Sequence, residues 1–350
     1  MKTVLFRADA SAALGAGHWV RCGALAAELR AHGARTPLAA CQPREGWSLS
    51  PPGSLDLIRM GPLPNDQIDD AKRFAALAKA SGAETIVVDH YDLDETWETE
   101  VKRACPGLRI VVIEDRPNRR HSASVVIAPS GTASGDEFLG RFAPGTHYLG
   151  GPAYALLRPE FAMARPGSIA CRRSSPQRCT SLKVLISMGA TDPDGLSIEG
   201  LAGARASGVA GAVTLVITSA SPWLAHFRAV VADTPNSRLL VDVEDMAALM
   251  AESDIGIGAA GGTSWERCSV GLPSIAVQMA ANQSEVASRL REFSAALVID
   301  DPRPSIAQYA QGLKTLANPP TRTAISQRAA EVCDGCGAKR VADQLLSTPN

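Results

Sequence analysis

Short apolar runs alternate along the chain with stretches in which apolar residues recur every three or four positions. Runs of four to six apolar residues are typical of buried strands, and the wider spacing is typical of amphipathic helices. In the first half this pattern predicts strands at 3–6, 36–41, 55–59, 85–88, 109–113 and 125–128 and helices at 20–30, 65–81 and 95–104. Such alternation predicts a parallel sheet, which binds ligands at the carboxyl ends of its strands.

A second series of the same kind follows a stretch rich in Pro, Arg and Ser. It predicts strands at 183–188, 212–218, 238–241, 255–258 and 274–278, helices at 196–206, 222–232, 244–252 and 264–270, and two or three terminal helices. We therefore predict an α/β fold with two Rossmann-like domains facing a cleft. The boundaries expected are an N-terminal domain at 1–165, a linker at 166–181 and a C-terminal domain at 182–350.

Composition excludes several classes of partner. Lys and Arg total 35 against 36 Asp and Glu, so no charge excess favours a nucleic acid or an anionic membrane. The first residues enter a strand pattern at once, and the chain has no apolar stretch of about 18 residues. The eight cysteines lack the spacing of a disulfide framework, and Cys333 and Cys336 have no second pair at zinc-site spacing. We expect a cytoplasmic monomer without membrane insertion.

The turn between the first strand and the first helix contains Gly15, Gly17 and His18. A dinucleotide fingerprint would need a third glycine and a later acidic residue, where the chain has Val20 and Gln42, so no such cofactor is expected. The positive end of a helix dipole disfavours a protonated imidazole, which makes His18 a candidate base. The alternative is a histidine that bonds only its own backbone.

The remaining histidines carry less information. His90 ends a predicted strand and is a candidate for supporting the site. The others lie in predicted loop or surface positions and are interpreted as structural: His32, His121, His147 and His226.

Two glycine-containing turns in the second half, at 189–192 and 261–264, each follow a strand and open a helix. Amide groups on such turns bind a diphosphate without basic side chains, which suits the neutral charge balance. Glu266 is then placed for the ribose hydroxyls, and Asn282 follows the next strand towards the same cleft.

Both turns also have a purely structural interpretation. Asp192 is a candidate cap for a helix beginning at Pro193, because aspartate accepts hydrogen bonds from the first free amides of a helix. Thr263 and Glu266 have the spacing of a capping box. The sequence alone leaves these alternatives open.

Together the motifs resemble one family of sugar-nucleotide enzymes. The residues that carry the resemblance are Phe6-Arg-Ala-Asp9, Gly15-Ala-Gly-His18, Val88-Asp-His-Tyr91, the stretch 151–161, Ser187-Met-Gly-Ala-Thr-Asp192 and Gly261-Gly-Thr-Ser-Trp-Glu266. They are similar to the UDP-2,4-diacetamido-2,4,6-trideoxy-β-L-altropyranose hydrolase family of pseudaminic acid biosynthesis, whose fold resembles the MurG-type glycosyltransferases of the GT-B class. The resemblance implies a UDP-linked diacetamido sugar, bound between the domains, and no cofactor.

By position, the resemblance makes His18 the general base. The residues near the sugar are then Asp9, Gly15, Gly17 and Tyr91, and those that hold UDP are Gly189, Asp192, Gly262, Thr263, Ser264, Glu266 and Asn282. Ala190 stands where the family pattern has a second glycine, so the diphosphate contacts are expected to differ in detail.

The reaction expected is attack of water on the anomeric carbon with inversion and departure of UDP. A diphosphate leaves readily near neutral pH, so the general acid of a glycosidase is not required. No metal is expected either, because Asp92-Leu-Asp94 is interpreted as a cap for the following helix. The alternatives are a GT-B glycosyltransferase that uses a UDP-amino sugar and a sugar-nucleotide binding protein without chemistry.

Overall fold

The computed structural model describes residues 2–10, 17–42, 56–174 and 180–347. The chain forms two compact units, one of Met1–Arg158 with Cys336–Asn350 and one of Pro159–Gly335. Each unit is a parallel sheet flanked by helices. The predicted fold class, an α/β protein with two Rossmann-like domains, is confirmed.

The first unit contains a seven-stranded parallel sheet. Its strands are β1 Val4–Ala8, β2 Leu38–Gln42, β3 Leu57–Pro62, β4 Thr85–Asp89, β5 Arg109–Ile113, β6 Val125–Ala128 and β7 His147–Gly150, in the order β3-β2-β1-β4-β5-β6-β7. Its helices are α1 Gly17–Ala31, α2 Gln67–Ser81, α3 Glu95–Ala104 and α12 Gly337–Ser347. Helices cover both faces, which explains why the central strands are apolar throughout rather than alternating.

The second unit contains a six-stranded parallel sheet in the order β10-β9-β8-β11-β12-β13. Its strands are β8 Leu182–Ser187, β9 Ala210–Ile217, β10 Ser237–Val241, β11 Ile255–Ala259, β12 Ser274–Val277 and β13 Leu297–Ile299. Its helices are α4 Pro159–Ser174, α5 Ser197–Ser207, α6 Leu224–Ala232, α7 Met246–Glu252, α8 Thr263–Ser269, α9 Ser284–Glu292, α10 Ile306–Ala317 and α11 Pro319–Val332. Among all the helices described, none is long and apolar enough to cross a membrane.

Both sheets reverse their direction of growth at the centre, between β1 and β4 in the first unit and between β8 and β11 in the second. The loops that leave such neighbouring strands diverge, and the opening they leave is where α/β sheets bind ligands. The candidate site residues follow these four strands. His18 comes after β1, Tyr91 after β4, Gly189 after β8 and Ser264 after β11.

The unit boundaries differ from the predicted 1–165, 166–181 and 182–350. Helix α4 occupies much of the expected linker, and 175–179 lie outside the described residues. Arg165 and Arg172 are seven positions apart on one face of α4, and they donate to backbone carbonyls of Ser269 at 2.8 Å and Met250 at 2.8 Å respectively. These bonds fasten α4 to the second unit, so its Pro and Arg content does not mark a linker.

The C-terminal helix α12 belongs to the first unit, although the sequence placed it in the second. Its buried residues Val341 and Leu345 join Leu25 and Leu29 of α1 in one apolar core. The periodicity of α12 therefore predicts a helix correctly, but the partner of its apolar face is more than 300 positions away.

His121 is buried, not at the surface as expected. Its Nδ1 lies 2.5 Å from Glu98 Oε1 and its Nε2 lies 2.7 Å from Glu114 Oε2. Burial opposes the charge of this imidazole, but the two carboxylates outweigh burial and raise the pKa of His121 to about 9. The imidazolium thereby joins α3 to the end of β5.

The replacement His121→Gln is expected to destabilise the protein in a pH-dependent way. Because the folded-state pKa of about 9 lies above the ordinary 6.5, the stabilisation by charged His121 is complete below about pH 6.5 and is lost as the pH rises through 9. The difference in unfolding free energy between wild type and variant should therefore shrink by about 3 kcal/mol between about pH 6 and about pH 9.5 in urea titrations. His147→Gln, at an exposed histidine, is the control. A pH-independent difference would contradict the charged triad.

Candidate active site

His18 is the second residue of α1, the helix that follows β1. Its Nδ1 lies 2.6 Å from Oδ1 of Asp89, the last residue of β4. An ionised carboxylate only accepts hydrogen bonds, so Nδ1 donates, and the lone pair of the neutral imidazole is on Nε2. This is the arrangement of a general base that is oriented by a carboxylate.

Asp89 is fully buried and also accepts from Nε and Nη2 of Arg21, at 2.5 Å each. Arg21 lies three residues after His18, so both project from one face of α1. Burial raises the pKa of Asp89, but Arg21 and His18 outweigh it and hold that pKa well below its ordinary range. The carboxylate is therefore ionised near neutral pH. Arg21 also reaches Asp115, after β5, at 2.5 Å.

Tyr91 packs edge-on against the imidazole of His18, with ring centroids 4.7 Å apart at an interplanar angle of 78°. The guanidinium of Arg116 lies 3.8 Å from the centroid of the Tyr91 ring, within the range of a cation–π contact. Tyr91 therefore contacts the candidate base itself and restricts its ring from a second direction.

Asp9 lies in the same region but its carboxylate is fully used within the protein. Its oxygens accept from Nη1 and Nη2 of Arg7 at 2.6 and 2.9 Å, from the Cys41 amide at 2.8 Å and from His90 Nε2 at 3.2 Å. Four donors match the acceptor capacity of a carboxylate. Asp9 thus joins β1, β2 and the turn after β4. Its place near the sugar stays a prediction.

His90 supports this arrangement. Its Nδ1 accepts from the Asp92 amide at 3.1 Å, so Nε2 carries the proton donated to Asp9. Both ring nitrogens are therefore bonded within the protein, and His90 fixes the turn that carries Tyr91. The next acidic residue of that segment, Asp94, caps α3 by accepting from the Thr96 amide at 2.9 Å, as the sequence predicts.

In the second unit, the turn after β8 begins with Gly189 at φ 113°, a conformation that favours glycine. Asp192, at φ 42°, is fully buried, and its two oxygens accept from the amides of Leu196 at 3.0 Å and Ser197 at 2.9 Å. Burial raises the pKa of Asp192. Its carboxylate therefore bonds the backbone at the start of α5, whose N-cap is Leu196 and whose first residue is Ser197 instead of the predicted Pro193.

The turn after β11 does not form the capping box. Gly262 is the N-cap of α8 and makes no side-chain cap bond, and Thr263 is the first helical residue. Ser264 is buried, with its hydroxyl donating to the Ala259 carbonyl at 3.3 Å and its amide donating to the Gly261 carbonyl at 2.8 Å. Glu266 lies two residues further along α8 and is 8% exposed.

The remaining predicted residues have simpler surroundings. Gly17 is exposed at the start of α1, and Asn282 is exposed in the short turn Ala281–Gln283 after β12. Gly15 lies outside the described residues. Within the described ranges, no group of three His, Cys, Asp or Glu side chains is arranged to hold a metal ion.

Asp89 and Arg21 were not predicted as site residues from the sequence. Arg21 stands three positions after His18 on the predicted helix, which is the spacing of side chains on one face. Asp89 ends an apolar run, and a carboxylate at the end of a buried strand requires a cationic partner. These two signals together could have revealed the pair.

Two parallel α/β units, each with candidate residues at the reversal point of its sheet, define a protein of the GT-B fold class. MurG of Acinetobacter baumannii has a similar structure, with a TM-score of 0.67 and 17% identity over 99% of this chain and 100% of that chain.

Two relatives are similar in sequence. The UDP-2,4-diacetamido-2,4,6-trideoxy-β-L-altropyranose hydrolase of Campylobacter jejuni is 25% identical over 253 residues, 72% of this chain and 82% of the relative. The spore coat polysaccharide biosynthesis protein SpsG of Bacillus subtilis is 26% identical over 200 residues, 56% of this chain and 57% of the relative. No family model matches the chain. The similarity in sequence to these two relatives confirms the resemblance predicted from the motifs.

Asp89→Asn is expected to lower the free energy of unfolding by about 3 kcal/mol, because it leaves the Arg21 guanidinium buried beside a neutral amide. The control Asp115→Asn removes a single contact of the same guanidinium at a site 12% exposed, so it should cost about 1 kcal/mol or less. Denaturant titrations at neutral pH measure both. The double replacement Asp89→Asn with Arg21→Gln should recover part of the loss, and equal effects of the two single variants would rule out a central role for Asp89.

Proposed function

We propose that the protein is a hydrolase that cleaves UDP from a UDP-2,4-diacetamido-2,4,6-trideoxy sugar. The observation that carries this proposal is the pairing of His18 Nδ1 with the buried, ionised Asp89 at the reversal point of the first sheet. The similarity to the Campylobacter jejuni hydrolase supports the substrate class.

In the proposed reaction, Nε2 of His18 takes a proton from a water molecule as that water attacks the anomeric carbon. The bond from that carbon to the diphosphate oxygen breaks, and UDP leaves with the bonding electrons. Asp89 stabilises the imidazolium that forms and keeps its own charge. Attack opposite the leaving group inverts the anomeric centre, and the diphosphate departs without a general acid.

The second unit is proposed to bind UDP through its two turns. Gly189, Gly262 and Thr263 are the candidates for contact with the diphosphate, Glu266 for the ribose, and Asn282 remains a candidate contact. Ser264 is better assigned to support the turn, because both its amide and its hydroxyl are bonded within the unit. Asp192 supports the other turn for the same reason.

His18→Asn is expected to lower the rate of UDP release from the UDP-diacetamido sugar by about 10²- to 10⁴-fold, because the base is lost. The asparagine amide can still donate to Asp89, so UDP affinity should not change. A coupled assay for UDP measures the rate, and calorimetry measures the affinity. His32→Asn, at an exposed histidine just beyond α1, is the control. Hydrolysis that survives the His18 change would exclude this residue as the base.

A glycosyltransferase is the second candidate, because a histidine base activates a sugar hydroxyl as well as water and the MurG-like fold occurs here. Hydrolysis in water enriched in oxygen-18 separates the two. A hydrolase places the label on the anomeric carbon without any added acceptor, whereas a transferase releases UDP only when an acceptor is supplied. A binding protein without chemistry would retain the intact UDP-sugar in both experiments.

Glu266→Ala is expected to weaken UDP binding by about 1 to 3 kcal/mol, the range for a lost hydrogen bond to a charged group. Isothermal titration calorimetry with UDP gives the value. Glu252→Ala, at an exposed glutamate that ends α7, is the control and should leave the affinity unchanged. If Glu266→Ala also leaves it unchanged, Glu266 does not bind the ribose.

A further inference from the structure

Arg267 of α8 is a buried cation under the turn that follows β11. The residue is only 2% exposed, and its Nη2 donates to the Ala259 carbonyl and to the Ser264 hydroxyl at 2.9 Å each. Its Nη1 lies 3.3 Å from the Thr263 hydroxyl. The buried Nε has no hydrogen-bond partner. The guanidinium is thus attached to the two hydroxyls of the turn.

The neighbouring strand is shaped to receive this side chain. Two glycines alternate with isoleucines in β11, and a Cβ atom at Gly258 would lie 2.5 Å from Nη1 of Arg267. A Cβ atom at Gly256 would lie 3.1 Å from its Cδ. A Cβ atom at Gly258 would also lie 2.6 Å from the Ser187 carbonyl oxygen, and one at Gly256 would lie 3.0 Å from Leu272 Cδ2. The two glycines therefore make room for the arginine together with these neighbours.

The charge of Arg267 is not compensated as other buried charges are. In the first unit, the buried Arg7 bonds both Asp9 and Asp70, and Arg21 bonds both Asp89 and Asp115. Over the ranges that the structure describes, no carboxylate forms an ion pair with Arg267. Burying a cation that bonds no carboxylate is costly, and here burial lowers the pKa of Arg267 to about 10 although the nearby charge of Glu266 acts in the opposite direction.

Arg172 and Arg267 differ in the kind and location of their hydrogen-bond acceptors. Arg172 is partly buried and bonds no carboxylate in the described part of the chain, but it donates to the Met250 and Ser253 carbonyls at 2.8 Å each, at the C-terminal end of α7. That end of a helix carries a partial negative charge, which favours a cation. The partners of Arg267 are two hydroxyls and one strand carbonyl, and they lie at the ligand-binding edge of the sheet.

We propose that Arg267 is a positioning residue whose charge holds the diphosphate of a nucleotide at the turn after β11, acting through the hydroxyl of Thr263, while Ser264 anchors the guanidinium. The identity of the ligand rests on the function proposed above. Because Arg267 donates to Thr263 Oγ1, the hydroxyl proton of Thr263 is available to donate to a phosphate oxygen. The bound diphosphate then supplies a negative charge where Arg267 bonds no carboxylate among the described residues.

The test compares UDP with uridine, which lacks the phosphates, in calorimetric titrations of Arg267→Met. Methionine replaces the side chain with an apolar group of similar length, so the fold should survive. The affinity for UDP is expected to fall about 10- to 100-fold and the affinity for uridine less than about 3-fold. Arg267→Gln, which keeps donors for the hydroxyls but removes the charge, should give the same result and serves if the methionine variant does not fold.

Arg205→Met is the matched control. Arg205 also has a buried Nε without a partner and donates to the Asn236 carbonyl and the Ser237 hydroxyl, but it lies at the opposite edge of the same sheet. The Arg205→Met variant removes the same net charge and should change neither the affinity for UDP nor the affinity for uridine. An unchanged UDP affinity in Arg267→Met, or equal losses for UDP and uridine, would overturn the inference.

The same titrations separate this inference from the proposed hydrolase. If wild type binds UDP with the expected dependence on Arg267 but releases no UDP from the sugar, the hydrolase proposal fails and the role of Arg267 stands. If wild type hydrolyses the sugar and Arg267→Met binds UDP normally, the inference about Arg267 alone fails. A wild type that does not bind UDP would overturn both.

Discussion

The bidentate ion pair between Asp89 and Arg21 determines what the first unit can do. Asp89 ends a strand that is buried on both faces, and its carboxylate would be too costly there without a cation. Arg21 supplies the charge from α1, and His18 bonds the same carboxylate from one helical turn earlier. Two contacts from one helix face fix the rotation of α1 against β4. The orientation of the candidate base is therefore a consequence of how a buried charge is neutralised.

The arginines near the reversal points of the two sheets have different kinds of hydrogen-bond partner. In the first unit the buried Arg7 and the partly buried Arg21 are each bonded to two carboxylates, so this region is internally neutralised. Such surroundings suit chemistry at water and carbon, where a neutral imidazole must keep its lone pair. In the second unit Arg267 is left with neutral partners. An uncompensated buried cation suits the binding of an anion, so the contrast agrees with the division of roles proposed for the two units.

The central elements and the position of His18 could be predicted because they depend on local pattern and on the edge at which parallel strands end. The short edge strands β7 and β13 were missed because four and three residues are too few to show a period. The hydrogen-bond partners of Asp9 and the burial of His121 could not be predicted either. Both depend on groups that are distant in the sequence but adjacent in the fold, such as the Cys41 amide that donates to Asp9. The local sequence does not show which hydrogen-bond donors a carboxylate meets across the fold.

The protonation states around His18 bear on which bond the site can break. Glycosidases need a carboxylic acid of raised pKa to protonate a poor leaving group. Here the pKa values of Asp9 and Asp89 are both held well below the ordinary range, because Arg7 with His90 and Arg21 with His18 outweigh the effect of burial. Both nitrogens of His90 are bonded within the protein. The site therefore offers a candidate base in His18 but no matching acid among these four side chains. A base alone is sufficient when the leaving group is a nucleoside diphosphate, which departs as a stable anion, and insufficient when it is a sugar alkoxide.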